Sequence, residues 1–174
     1  MIRIRSAEPG DAQALVDLSG EIGGEDGAWL LTTEAWRSVS DERRYLRAVR
    51  GHPDAAVFVV EDGDRLVGRL SLARDGHPAS SHVADLGLMV AASHRRRGVG
   101  RALLEQAVAW AKAAGVRKLE LHVFTWNEPA IALYESFGFE REGFRKGHYL
   151  RAGEHVDAIL MAFWLPDSPQ QASA

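Results

Sequence analysis

Val83-Ala84-Asp85-Leu86-Gly87-Leu88-Met89-Val90, followed after Ala91-Ala92 by Ser93-His94-Arg95-Arg96-Arg97-Gly98-Val99-Gly100-Arg101, is the stretch on which the fold of this chain turns. Its first part is a short apolar run that reads as a buried strand. Beyond the turn, Val99, Leu103, Leu104, Ala107, Trp110 and Ala111 recur at helical spacing, and Gly115 supplies a stop. The order is therefore strand, basic glycine-containing turn, helix. Such a turn aims unpaired backbone N–H groups and the positive end of a helix dipole at one point, which suits a phosphate. Gly98 and Gly100 would let an anion approach the backbone, and the arginines add charge and forked donors. Two familiar phosphate loops are excluded. No Gly-x-x-x-x-Gly-Lys-Ser/Thr occurs, and the third glycine of a dinucleotide fingerprint is missing. The competing reading is a solvated basic turn that caps an ordinary helix.

Working outward, Ile2 to Arg5 alternates as a first strand, and Pro9-Gly10-Asp11 breaks it, with Asp11 placed to cap a helix bearing Ala14, Leu15 and Leu18. Gly20 to Gly27 is rich in glycine and acids and reads as a loop. Thr32 or Thr33 is placed to cap a second helix, in the stretch Thr32 to Trp36, that Gly51-His52-Pro53-Asp54 ends. Ala56 to Glu61 and Arg65 to Ala73 read as strands joined by Asp62-Gly63-Asp64, a hairpin signal. Downstream, Lys118 to Phe124 alternates as a strand. Asn127 to Phe137 reads as a helix with Ala130, Leu133 and Phe137 on one face and Gly138 as a left-handed cap. Phe139 to Leu150 and His155 to Trp164 form a last pair of strands. The element order is β-α-α-β-β-β-α-β-α-β-β. One domain is expected over residues 1–165, with the polar tail 166–174 disordered.

Bulk properties narrow the function classes. A chain of 174 residues has room for a proper core, and 46% hydrophobic with 26% charged residues is ordinary for a globular protein. A net charge of −3 argues against nucleic acid as the main partner, so the arginine run reads as a local anion site. There is no cysteine, which removes disulfides, thiolate metal sites and a cysteine acyl-enzyme. No histidine spacing points to a metal, and His94 reads as an exposed turn residue. Neither a secretory h-region nor an apolar run of the roughly 18 residues that a membrane span needs is visible, so a cytoplasmic protein is expected, monomeric or homodimeric.

Two motifs carry a resemblance. Arg95-x-x-Gly98-x-Gly100 resembles the Arg/Gln-x-x-Gly-x-Gly/Ala signature of the GCN5-related N-acetyltransferases. Asn127-Glu128-Pro129-Ala130-Ile131-Ala132-Leu133-Tyr134-Glu135-Ser136-Phe137-Gly138-Phe139 resembles that family's Asn-x-x-Ala-x-x-Leu-Tyr-x-x-x-Gly-Phe segment. The element order is similar to the family's from Ile2 to Trp164. The resemblance implies a mixed α/β fold of the α+β kind, with a mostly antiparallel twisted sheet of about seven strands flanked by about four helices. It implies acetyl-CoA as the acyl donor, with its pyrophosphate on the turn Arg95, Arg96, Arg97, Gly98, Val99, Gly100 and Arg101. Leu88, Met89 and Val90 on the central strand, with Asn127, Ala130 and Tyr134, would complete that site. In the family the central strand carries a bulge and splays from its neighbour, and Gly87 is compatible with a bulge.

The chemistry implied is direct transfer from a thioester to a primary amine. Tyr134 would protonate the leaving thiolate. Candidate bases are Asp85, His122, Glu120, which shares a face with His122, and water. Glu25 and Asp26 could draw a cationic amine to the acceptor pocket, and Trp29 could cover an apolar group. Each also has a plain structural reading as a solvated acid or a packed ring. The ending Glu142 to Tyr149 with Val156-Asp157-x-x-x-Met161 resembles the branch with amino-acid, polyamine and ribosomal-protein acetyltransferases, so a small free amine is the expected acceptor. A protein N-terminus or lysine is the first alternative. A catalytically silent acyl-CoA sensor is the second.

Overall fold

The computed structural model describes residues 1–31 and 37–166. The Thr32 or Thr33 cap, the Trp36 end of that start signal and the tail from 167 onward lie outside the described residues. In chain order the elements are β1 (Ile2–Ser6), α1 (Ala12–Gly23), α2 (Val39–Val49), β2 (Ala55–Asp62), β3 (Arg65–Arg74), β4 (Val83–Val90), α3 (Val99–Ala114), β5 (Lys118–Phe124), α4 (Glu128–Phe137), β6 (Glu140–Arg151) and β7 (Glu154–Trp164). Among the described residues the strands form a 7-stranded sheet in the order β1-β2-β3-β4-β5-β7-β6. Every neighbouring pair is antiparallel except β4 and β5, which α3 joins as a parallel crossover. The α/β class and the mixed, mostly antiparallel sheet are as expected.

Local chemistry sets the element ends. Ser38 caps α2, its hydroxyl accepting from the Asp41 N–H at 3.1 Å. Gly115 and Gly138 close α3 and α4 in the left-handed conformation, at φ 73° and 119°. Asp11 departs from the sequence expectation. It stands at the start of α1, but its side chain caps no helix N–H. It accepts instead from the Glu8 N–H and from both terminal nitrogens of Arg5, at 2.7–2.8 Å. The strong donor next door outcompetes the cap.

Side-chain alternation divides the sheet into two faces. Arg69 and Met89 are opposite one another in the β3–β4 register, and both meet the first two helices. The buried Glu42 of α2 pairs with Arg69 at 3.2 Å, and the Ser19 hydroxyl of α1 reaches Met89 Sδ at 3.6 Å. Leu15 and Leu46 pack there with Val57 and Val59 of β2. Leu70, Leu72 and Leu86 point the other way and join Leu103, Leu104 and Ala107 of α3, and Ile131 of α4, in the main core. On the Arg69 face, beyond β4, Asp85 and Glu120 stand opposite each other, with His122 two residues further along β5. No described helix is long and apolar enough to cross a membrane.

Candidate functional site

Strands β4 and β5 pair only through Val83↔Lys118, Ala84↔Leu119 and Asp85↔Glu120. Past that last rung the two diverge, leaving Leu86 to Val90 unladdered on the β5 side. On its other side β4 keeps one uninterrupted register with β3, from Arg74↔Ala84 to Gly68↔Val90. The bulge expected in the central strand is therefore absent. The splay comes from loss of the β5 ladder, with Gly87 in regular register opposite Ser71, whose hydroxyl donates to the Gly87 carbonyl at 3.3 Å.

The wedge between the strands is a cavity of about 690 Å³. Leu86 to Val90 form one wall, and His122, Val123, Asn127, Ala130, Leu133 and Tyr134 form the other. Arg95, Arg96, Gly98, Gly100 and Arg101 close its mouth. Arg97, Val99, Asp85, Glu25 and Asp26 are not among the lining residues.

The turn is built for open donors. Gly98 adopts φ +82° and Arg96 φ +59°, which swings the chain into α3. Gly98 offers no side chain to cap the helix, and the Ala102 N–H donates to the Gly98 carbonyl at 3.0 Å. The N–H groups of Val99, Gly100 and Arg101 are thus left for an outside acceptor. Gly100 has a further duty. A Cβ there would lie 2.7 Å from Leu133 Cδ2, so this glycine lets α3 approach α4.

Arg95 does not stand free. Its Nε donates to the Val90 carbonyl at 3.0 Å, and its Nη atoms donate to both Glu25 oxygens at 2.6 and 2.7 Å. It is a strut from the central strand to the loop after α1, while Arg96 and Arg101, the latter 3.4 Å from Glu105, are the other cations at the mouth. The same bonds occupy Glu25, which also accepts from Trp29 Nε1 at 3.0 Å. Glu25 is therefore a brace for its own loop. Asp26 is exposed, while Trp29 lines the cavity with its ring folded against Gly27, where a Cβ would come 1.9 Å from the ring.

His94 is not the exposed turn residue that the sequence suggests. It is buried, with Nε2 3.1 Å from Asp62 Oδ2 and Nδ1 2.8 Å from the Ser93 hydroxyl, so it ties the turn to the β2–β3 hairpin.

Asn127 stands at the start of α4 and Tyr134 two turns along it, and both line the cavity. The Asn127 side-chain Oδ1 accepts from the Ala130 N–H at 3.2 Å, capping α4, and its Nδ2 donates to the Trp29 carbonyl at 3.5 Å. Tyr134 is 6% exposed and makes no hydrogen bond to a described residue, with its ring against Phe139. Burial pushes its phenol well above the ordinary tyrosine range.

Across the open face, desolvation first, and then Glu120 and Asp75, raise the Asp85 carboxyl. Desolvation, Arg145 and His148 lower the His122 imidazole against the pull of Glu120. His122 Nδ1 is 2.6 Å from the Tyr149 hydroxyl. Tyr149, Arg151 and Trp126 were not singled out from the sequence. Arg151 donates to the Ala28 and Leu30 carbonyls at 2.6 and 2.8 Å, and Trp126 to the Gly27 carbonyl at 3.2 Å, so both strap the loop after α1 over the cavity. Those partners lie about a hundred residues away, and no local pattern announces them. No group of three or more His, Asp or Glu among the described residues could hold a metal ion.

The geometry is that of a splayed sheet whose gap runs from an open helix N-terminus to a buried tyrosine. Residues 26–139 match the sequence profile of the Acetyltransferase (GNAT) family. The chain belongs to the GNAT acetyltransferase family. Among GNAT relatives, an L-amino acid N-acetyltransferase of Escherichia coli is 43% identical over 105 residues. That match covers 58% of this chain and 62% of the relative, so it spans less than two thirds of that protein's own length. The N-alpha-acetyltransferase RimI of Mycobacterium tuberculosis is 31% identical over 153 residues, covering 87% of this chain and 85% of that one. A GNAT superfamily phosphinothricin acetyltransferase from Sinorhizobium meliloti, solved in complex with acetyl-CoA, superposes with a TM-score of 0.83. It is 19% identical, covers 99% of this chain and 93% of its own, and shares the GNAT fold.

Proposed function

We propose that this protein transfers an acetyl group from acetyl-CoA directly to the primary amine of a small molecule, with amino acids as the leading acceptors and polyamines next. The observation that carries this is the gap between β4 and β5, which joins the open N-terminus of α3 to Tyr134. The residues present fit the donor. The Val99 to Arg101 N–H groups with Arg96 and Arg101 would hold a diphosphate, and the apolar walls of the wedge would take a thin, extended arm. The unladdered edge of Leu88 to Val90 offers backbone donors where a carbonyl would lie. When bound, acetyl-CoA supplies a thioester whose acyl carbon an amine can attack and whose sulfur then departs.

The chain's own part is positioning and proton handling. Tyr134 holds its proton at the hydroxyl because burial disfavours the phenolate, and it is a donor to the departing sulfur. The amine's proton leaves on the open face, where Asp85, Glu120 and His122 lie; desolvation and then Glu120 raise the Asp85 carboxyl above its ordinary value. The strapped loop with Trp29, Leu30 and Leu31 roofs the cavity, which favours a small amine over a protein chain. The name of the mycobacterial relative keeps a protein N-terminus as the second reading.

A thiol-release screen over amino acids, polyamines and N-terminal peptides tests this. Thiol release is expected with a free amino acid, and radiolabelled acetyl-CoA alone should leave no label on denatured protein, since the chain has no cysteine. Binding of acetyl-CoA without thiol release from any amine would establish the silent-sensor reading. Stable stoichiometric label would overturn direct transfer.

A further inference from the structure

His122 lines the cavity and meets Tyr149 at 2.6 Å through Nδ1. A phenol has one proton to give, and among the described residues no other acceptor meets this hydroxyl. The distance falls in the range of roughly 2.5–3.0 Å typical of O–H donors. With the phenol as donor, Nδ1 accepts, and a neutral ring carries its own proton on Nε2. The direction of each shift is compatible with that assignment: desolvation raises the Tyr149 phenol, and desolvation with Arg145 and His148 lowers the His122 imidazole against the pull of Glu120.

The groups facing His122 come from three strands. Glu120 lies on its own strand and Asp85 on β4 across the last paired rung. Arg145, His148 and Tyr149 come from β6, with His148 edge-on to the His122 ring at 5.6 Å. Leu160 stands opposite on β7 and brings no charge. Of the groups that face His122, the acids lie at the Asp85–Glu120 rung, where Lys118 Nζ also meets Glu120 at 2.7 Å, and the donors come from β6. An amino acid carries both charges that such a division would sort.

We propose that His122, held by Tyr149, offers its Nε2–H to the carboxylate of an amino-acid acceptor, and that it is an acceptor-binding residue and not the base. Tyr149 is then a positioning residue that fixes the tautomer. This rests on the reading of the protein as a small-amine acetyltransferase, and the two can fail separately.

Two-bond nitrogen–proton correlation spectra of the labelled protein distinguish the tautomers, with His122→Asn assigning the resonance. The Nε2–H form is expected in the parent, and a mixture of both forms in Tyr149→Phe. An Nδ1–H form in the parent overturns the proposal. In kinetics, amino acids are compared with their carboxamides. His122→Asn should raise KM for the amino acid roughly tenfold or more, the scale of one hydrogen bond to a charged group, and collapse the preference over the amide. Loss of kcat by orders of magnitude with both acceptors would mark His122 as the base and overturn the proposal. If no amine is acetylated, the enzyme reading fails and binding decides the rest. N-acetyl amino acids should shift the Nε2–H signal while their carboxamides do not, and an unmoved signal with both refutes the carboxylate contact.

Discussion

Tyr134 shows how one residue's setting changes the chemistry that its identity suggests. An ordinary phenol titrates near pH 10, so a hydroxyl acting as a donor should lose activity there. Burial raises this group, so its proton is kept through that range and lost only above it. The rate should therefore show no fall attributable to Tyr134 between about pH 7 and 10. Tyr134→Phe keeps the ring against Phe139 and removes only the hydroxyl. Acetyl-CoA affinity and melting temperature should change little, while kcat falls by roughly 10²- to 10⁴-fold, the usual share of general acid catalysis. Near-normal turnover in steady-state assays would remove Tyr134 from the mechanism. Arg95 makes the complementary point. Within a run of three arginines nothing local separates it from its neighbours, yet its guanidinium is spent on Glu25 and Val90. A partner 70 residues away decided its role.

At the scale of elements, Gly98 and Gly100 share a motif but answer different demands. Gly98 needs its left-handed backbone and has open space where a Cβ would go. Gly98→Ala should cost about 1–2 kcal/mol through backbone strain. Gly100 is helical and limits the distance between α3 and α4. An alanine would press only on the mobile end of Leu133, whereas Gly100→Val should cost about 1–3 kcal/mol as overpacking. Denaturant melts without acetyl-CoA check both values. A Gly100→Val variant as stable as the parent would refute the helix contact. Elements of this kind were largely legible in the sequence, because periodicity and glycine caps are local. The Asp-Gly hairpin and the stops at Gly115 and Gly138 needed no distant partner. Asp11 and His94 were misjudged for the opposite reason: each is captured by a residue from another element, Arg5 and Asp62.

For the whole molecule, the decisive feature is where a ladder stops. Alternation identifies β4 and β5 as strands, and the crossover through α3 makes them parallel, but neither tells how many rungs they share. The splay came from family resemblance, and the bulge that accompanied it does not occur in this chain. The fold leaves Leu86 to Val90 with one laddered and one open edge, and that edge ends beside the uncapped start of α3. A donor filling the gap would close both at once. Hydrogen exchange followed amide by amide separates this from binding elsewhere. With acetyl-CoA at about 100 times its Kd, amides that exchange only from the unbound protein should slow by roughly 100-fold. That slowing should fall on open-edge amides within Gly87 to Val90 and on Val99 to Arg101. The Val83 to Asp85 rungs, already paired with β5, should change far less. Protection confined to the helix start, with the strand edge unmoved, would mean that the acyl arm does not enter the wedge, and the assignment of Tyr134 would fall with it.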